Sequence, residues 1–318
     1  MTSAFDGSAA VRRTLPQYVM LALVWGSSFF LVDIGLRGLS PTQVVLARLV
    51  IGAVVLAIIC LVSRQQLPHG GSIWAHLFVV AMLLCVVPFL LFAWAQQHVP
   101  SSVASIINAT TPLMTMVVAL LALPSERPDR WKAGGLGVGF IGILLVLDPL
   151  TGFHGDTGPL GYLACLGATL SYGIAFVYMR RFVSPRGFDA IPVATAQVGM
   201  AAVVMVILSP VIATQVFVIS PAVVASMVVL GAFGTGLAYA WNASIVAHWG
   251  ATAASTVTYI APVVGIALGV LVLGENLAWY QPVGAAVVVI GILVSQGRVP
   301  RLRRRPAAPV ASADDYQI

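Results

Sequence analysis

The sequence predicts an all-α integral membrane protein, with ten transmembrane helices built as two inverted five-helix repeats. Three observations carry that prediction. First, of 318 residues 59% are hydrophobic and 8% charged, and the mean hydropathy is +0.99. Soluble chains hold about 25% charged residues; a bilayer hides this much apolar surface and a water-soluble core does not. Second, the apolar residues fall into ten runs long enough to span. Third, HVPSSVASIINATTP, from His98 to Pro112, returns 150 residues later as HWGATAASTVTYIAP, from His248 to Pro262, with His, Ala, Ser and Pro at matching places.

A helix needs about 20 apolar residues to cross the hydrocarbon core. Residues 1–15, MTSAFDGSAAVRRTL, are polar and basic, lack the apolar centre of a cleavable leader, and read as a cytoplasmic tail. The first repeat occupies residues 16–150, with spans at 16–36, 42–63, 73–97, 101–123 and 132–148. The second occupies 151–297, with spans at 158–180, 188–208, 222–246, 252–273 and 279–296. Connections as short as VP at 99–100 and HWGA at 248–251 imply antiparallel neighbours. The alternating segments of a membrane β-barrel are absent. Residues 298–318, RVPRLRRRPAAPVASADDYQI, read as a disordered cytoplasmic tail whose basic part lies near anionic lipid.

Lys and Arg set the orientation. With the N-terminus in the cytoplasm, 14 of the 16 fall on inner segments; Arg37 alone falls outside, and Arg48 lies within a span. Ten spans then leave both termini cytoplasmic. The net charge of +6 is a topology signal and not a nucleic-acid one. The repeat extends beyond the quoted segment. Glu126 after the fourth span answers to Glu275 after the ninth, displaced by one residue, and AGGLGVGFIGILLVL resembles GAAVVVIGILVS. Five is an odd number, so the second copy enters from the opposite face. Inverted halves related by an axis in the membrane plane are the arrangement of many secondary transporters, with the substrate near the midplane.

Candidate site residues follow from that expectation. Arg48 lies about 10 Å into the second span at 1.5 Å per residue. Two readings stand: a fixed charge that attracts a substrate carboxylate, or a structural Arg bonded to backbone carbonyls or snorkelling outward. Its counterpart in the seventh span is the neutral Gln197. Asp33 is the carboxylate well inside a span and the candidate for proton coupling; against that, Arg37 at i+4 favours a structural pair. Pro112 and Pro262 are expected to break the fourth and ninth helices and free the carbonyls of Asn108 and Thr258, as hinges, cavity lining or packing kinks. Thr110, Thr111 and Tyr259 flank these breaks. Trp25 with Ser28 beside it, and Tyr172 at the equivalent place in the sixth span, are candidate aromatic walls. Trp94, and the cluster Tyr239, Trp241 and Asn242, complete the cavity candidates, with packed or lipid-facing aromatics as the alternative. Gln96 and Gln97 are placed at the outer gate. Trp74, Trp131, Trp249 and Trp279 stand at span ends as interface anchors. Gly135, Gly139, Gly142, Gly265 and Gly269 have the spacing of close helix contact.

LVWGSSFFLVDIGL followed by PTQVVLARLVIGA, a Pro in the fourth and ninth spans, a Glu at their ends and a Gly-rich next span resemble the EamA branch of the drug/metabolite transporter superfamily, over about residues 16–297. The first half departs from the pattern at LALPSERP, which holds a Pro and an extra residue before Glu126. The resemblance implies a ten-helix fold and transport, usually export, of small metabolites or drugs.

The expected function is secondary transport of small metabolites, amino acids or related amphipathic compounds, by alternating access between the two repeats. The alternative is a multidrug efflux carrier for lipophilic or cationic compounds; more remote are a membrane enzyme and an assembly subunit. No nucleophile–base pair, Asp-rich cluster or P-loop is present. Cys60, Cys85 and Cys165 sit singly in apolar runs, without metal spacing. No catalytic residue, metal, cofactor or nucleic acid is expected. The expected partners are a small-molecule substrate and lipid, with protons a candidate coupling ion, in a monomer or homodimer of a bacterial inner membrane.

Overall fold

The computed structural model describes residues 3–123, 126, 129–147 and 158–297, and all regular structure among them is helical. Nine helical stretches among these residues are long and apolar enough to cross a membrane: Thr14–Leu36, Pro41–Val62, Gly71–Ala95, Ser101–Ala122, Arg130–Leu147, Pro159–Arg186, Ala190–Ile212, Pro221–Gly250 and Ala253–Leu271. A shorter apolar helix, Tyr280–Ser295, follows them. Most ends lie within a few residues of the predicted runs. Three do not. The first helix begins at Ser3, so the predicted N-terminal tail is a helical extension with Pro16 inside it. The sixth span continues through a π-helical turn, Met179–Val183, to Arg186, where Gly187 reverses the chain at φ 71°. The eighth runs on to Gly250, whose φ of 83° ends the helical backbone before the ninth. The predicted tail 298–318 and the connection 148–157 lie outside the described residues.

Leu61, Val62, Leu121, Val211 and Leu271 are largely exposed. Large apolar side chains turned outward along whole helices are what hydrocarbon solvates and water does not. The buried faces pair the spans as follows. The second packs on the seventh and eighth, and the third on the seventh and sixth. The fourth packs on the sixth and ninth, the first on the eighth and ninth, and the fifth on the last helix. The fifth and last helices meet backbone to backbone. A Cβ on Gly291 would collide with the Gly139 main chain, and one on Gly142 with Gly284 and Val288.

Hydrogen bonds tie the connections together at each end. At one end Val218 N–H donates to the Gly38 carbonyl at 2.8 Å, and Gln43 Nε2 reaches the carbonyls of Ala213 and Gln215 at 3.1 and 2.7 Å. Among the described residues Arg37 is the Lys or Arg of this arginine-poor face. At the other end Arg186 donates to Ser72 Oγ at 3.0 Å, and His76 Nδ1 lies 2.8 Å from the Tyr178 hydroxyl. This arginine-rich face holds Arg64, Arg130, Lys132, Arg180, Arg181 and Arg186.

Candidate functional site

The helices are broken where they meet. The first span stops at Gly26 and restarts at Ser28; the fourth stops at Asn108 and restarts at Thr111; Thr256 interrupts the entry to the ninth. The third and eighth carry π-helical stretches, Met82–Val86 and Val229–Leu237. Such stretches re-aim side chains and concentrate at functional sites. The carbonyls released at these breaks are taken up locally. Ser28 Oγ donates to Val24 O at 3.0 Å, Thr111 to Asn108 O at 2.7 Å, Thr256 to Ala253 O at 2.6 Å and Thr258 to Ser255 O at 2.6 Å. Backbone can therefore depart from the helix at membrane depth without exposing unpaired groups to lipid.

Among the breaks lies a cavity of about 230 Å³. The first half supplies Trp25, Ser28, Phe29 and Val32; Val44, Val45 and Arg48; Leu84, Phe89, Phe92, Ala93 and Gln96; and Asn108 with Thr111. The second half supplies Tyr172 and Phe176, then Gly234, Tyr239 and Asn242, then Thr258 and Ala261. The walls are mainly aromatic and aliphatic, with three amides and several hydroxyls between them.

Arg48 is the one charged residue of the lining. Its Nε donates to Thr235 Oγ1 at 3.0 Å, and its guanidinium lies over the Phe89 ring, 3.8 Å from the centroid. Tyr172, Tyr239 and Cys85 are close enough to feel its charge. Small residues permit this placement: a Cβ on Gly52 would collide with Thr235, and one on Gly231 with Ile51. The ion pairs among the described residues are Asp33–Arg37, Glu126–Lys132 and Glu126–Arg180, and Arg48 is in none of them.

The cavity brings together nine predicted residues: Trp25, Ser28, Arg48, Asn108, Thr111, Tyr172, Tyr239, Asn242 and Thr258. Four others lie elsewhere. Trp94 is turned to the surface, with its ring 4.5 Å from that of His98, because the face of the third span that lines the cavity carries Phe89, Phe92, Ala93 and Gln96. Gln197 is buried within the seventh span and is not part of the lining. Trp241, one residue before Asn242, turns into an apolar cluster with Leu21, Trp25 and Ile245. Tyr259, one residue after Thr258, donates its hydroxyl to Gln296 Oε1 at 2.7 Å. Asp33 pairs with Arg37 at 3.1 Å and stands outside the lining. Pro112 stands just after the break in the fourth span, as expected, and the Asn108 carbonyl it leaves free is taken up by Thr111. Pro262 needs correction: it lies within Val257–Leu271, six residues after the break at Thr256. Hydroxyl residues mark both gaps, since each takes up a carbonyl three residues back.

Sequence reasoning passed over the aromatic wall of Phe29, Phe89, Phe92 and Phe176. The spacing of Phe89, Phe92, Ala93 and Gln96 does describe one helical face. In a span apolar all round, nothing distinguishes that face from its lipid-facing opposite. Gln96, expected at a gate, is buried in the lining and donates to the Phe29 carbonyl at 2.8 Å.

The profile of the EamA-like transporter family matches this chain over residues 17–148 and 159–296. The inner membrane transporter YedA of Escherichia coli (strain K12), itself uncharacterized, is 25% identical over 305 residues, which span 94% of this chain and 97% of that one. A probable amino-acid metabolite efflux pump of Salmonella typhimurium is 22% identical over 289 residues, 87% of this chain and 92% of that one. A solved crystal structure superposes with a TM-score of 0.65 at 18% identity, covering 92% of this chain and 99% of that one, a likeness of fold.

Proposed function

This chain belongs to the EamA-like transporter family and is an integral membrane protein, and from that premise we propose that it is a secondary carrier for small amphipathic organic acids, amino acids among them. One observation carries the proposal: a half-buried arginine without an acidic partner among the described residues faces an aromatic cavity at the helix breaks. A cation held out of water is costly unless something neutralises it. A substrate carboxylate does so, and the aromatic walls accept its apolar body. Arg48 presents donors in a fixed fork that matches a carboxylate, which Lys does not.

The same reading extends to the architecture. The last helix, Tyr280–Ser295, is the tenth span, and the two halves are inverted repeats. Two separate family matches support this, as does the pairing of helices. The second on the eighth mirrors the seventh on the third, the third on the sixth mirrors the eighth on the first, and the fourth on the sixth mirrors the ninth on the first. By the distribution of Lys and Arg the arginine-poor face is external and both termini are cytoplasmic, in a bacterial inner membrane. Export is the direction suggested by the relative named as an efflux pump.

A lipophilic-cation carrier is the second reading, favoured by the same aromatic walls. The positive charge at Arg48 opposes it. Thermal shift of the purified protein with benzoate, L-phenylalanine and tetraphenylphosphonium separates the two. A ligand that binds only the folded state raises the melting temperature as RT ln(1 + [L]/Kd). The expected result is stabilisation by the carboxylates and its loss in Arg48→Gln. Stabilisation by tetraphenylphosphonium alone, or carboxylate binding that survives the substitution, overturns the anchor.

A further inference from the structure

Glu275 stands outside the cavity, and its carboxylate crosses from the end of the ninth span to the start of the fourth. Oε1 accepts the Ser101 N–H at 2.7 Å; Oε2 accepts the Ser102 N–H at 3.0 Å and the Ser102 hydroxyl. Those N–H groups open the helix Ser101–Asn108, where helical geometry leaves them without partners and the helix dipole favours a negative charge. The chain is shaped to deliver the carboxylate. Gly274 turns it back at φ 70°, and the Glu275 N–H returns to the Gly269 carbonyl at 3.0 Å. A Cβ on Gly269 would occupy the space of the carboxylate itself.

Beneath this contact, Ser105 lies against Gly265, and Ser101–Asn108 packs along Val257–Leu271. The same two helices bring Asn108, Thr258 and Ala261 to the cavity. The carboxylate therefore clamps, on the arginine-poor side, two helices that flank the candidate site and come from different halves of the chain. Its sequence counterpart on the other side is differently engaged. Glu126 gives one oxygen to Lys132 and the other to Arg180, each at 2.7 Å.

We propose that Glu275 is the latch of the gate on the arginine-poor side, and that opening to that side requires its carboxylate to leave Ser101 and Ser102. The inference rests on the reading of the chain as an alternating-access carrier. No titratable residue lies on Ser101–Asn108. The helices packed against it carry Asp33 with its partner Arg37, Tyr162, Cys165, Tyr172 and Tyr178, Arg130 and Lys132, and Tyr259 and Tyr280. The atoms that hold Glu275 are two backbone N–H groups and a serine hydroxyl, so the latch is set by geometry and by its own charge.

A thiol in the seam tests it. Ser105 is 2% exposed, and Ser105→Cys places a reporter there in the full-length protein. Spheroplasts present the arginine-poor face to a membrane-impermeant maleimide. In Glu275→Gln one N–H loses a charged acceptor and faces an amide NH₂, and labelling is expected to rise about tenfold. Gly269→Ala, which keeps the charge and takes its place, should accelerate labelling in the same sense. Glu126→Gln should not. The native Cys60, near the arginine-rich end of the second span, is buried and reports general loosening, while Cys85 and Cys165, beside the cavity and the seam, are replaced by alanine. An unchanged rate in both seam variants overturns the latch, as does equal labelling of Cys60. Arg48→Gln should leave seam labelling slow while it removes the carboxylate shift, so the latch and the substrate reading fail separately.

Discussion

Arg48 has a fixed side and an open side. Thr235 holds Nε and Phe89 supports the guanidinium face; among the described residues no acceptor bonds its terminal nitrogens. Thr235→Val keeps the shape of the side chain and deletes the acceptor. The Kd for a carboxylate such as benzoate should rise about tenfold or more, as expected for one hydrogen bond to a charged group, in a thermal-shift titration. An unchanged Kd would mean that Phe89 alone orients the guanidinium. Glu126 is a different kind of charge. Hydrogen bonds from Lys132 and Arg180 hold its carboxyl below the ordinary glutamate value of 4.5. A depressed carboxylate stabilises the fold at pH above that value and loses its contribution as the pH falls through its folded value. The melting temperature of Glu126→Gln should therefore lie below that of the parent at pH 7, and the gap should close as the pH drops beneath 4.5. A gap independent of pH would assign the loss to packing.

At the scale of elements, glycine decides how closely two helices approach. Gly139 and Gly142 on the fifth span meet Gly284 and Gly291 on the last helix, while Gly134 and Gly137 on the same span have open space where a Cβ would stand. Gly291→Val should destabilise the protein by about 1–3 kcal/mol, because the backbones must part. Gly137→Ala should stabilise it by up to about 1 kcal/mol, because alanine suits a helix better than glycine and meets nothing. Thermal denaturation of the two variants checks the contrast, and equal effects would show that the helices do not depend on this contact. The break in the fourth span follows the same logic at main-chain level. Thr110 and Thr111 take up the carbonyls of Ile107 and Asn108, each at 2.7 Å, so the helix ends ahead of Pro112.

For the whole molecule, charge and number of spans act together. Lys and Arg gather on one face among the described residues, and cytoplasmic segments retain them. With Tyr280–Ser295 as a tenth crossing, both termini lie on the arginine-rich side. A fluorescent protein fused at either end should then fluoresce in cells, and a periplasmic phosphatase fused at either end should stay inactive. An active C-terminal phosphatase would remove the last helix from the count of spans and break the inverted pairing with the first repeat.

The sequence by itself determined the membrane class, the positions of the apolar helices and the doubling of the HVPSSVASIINATTP segment. Composition and run length govern whether a helix enters hydrocarbon, and both are local properties. It also exposed Arg48, because a charge in an apolar run is conspicuous without any neighbour. Tertiary structure decided which face of each helix looks inward. Trp94 and Ala93 are adjacent in sequence, yet one is turned to the surface and the other lines the cavity. In lipid both faces of a span are apolar, so the pattern that marks a buried face in water is missing. Tertiary structure alone also joined Glu275 to Ser101, since a carboxylate in a short connection carries no sign of the helix end it reaches 174 residues away.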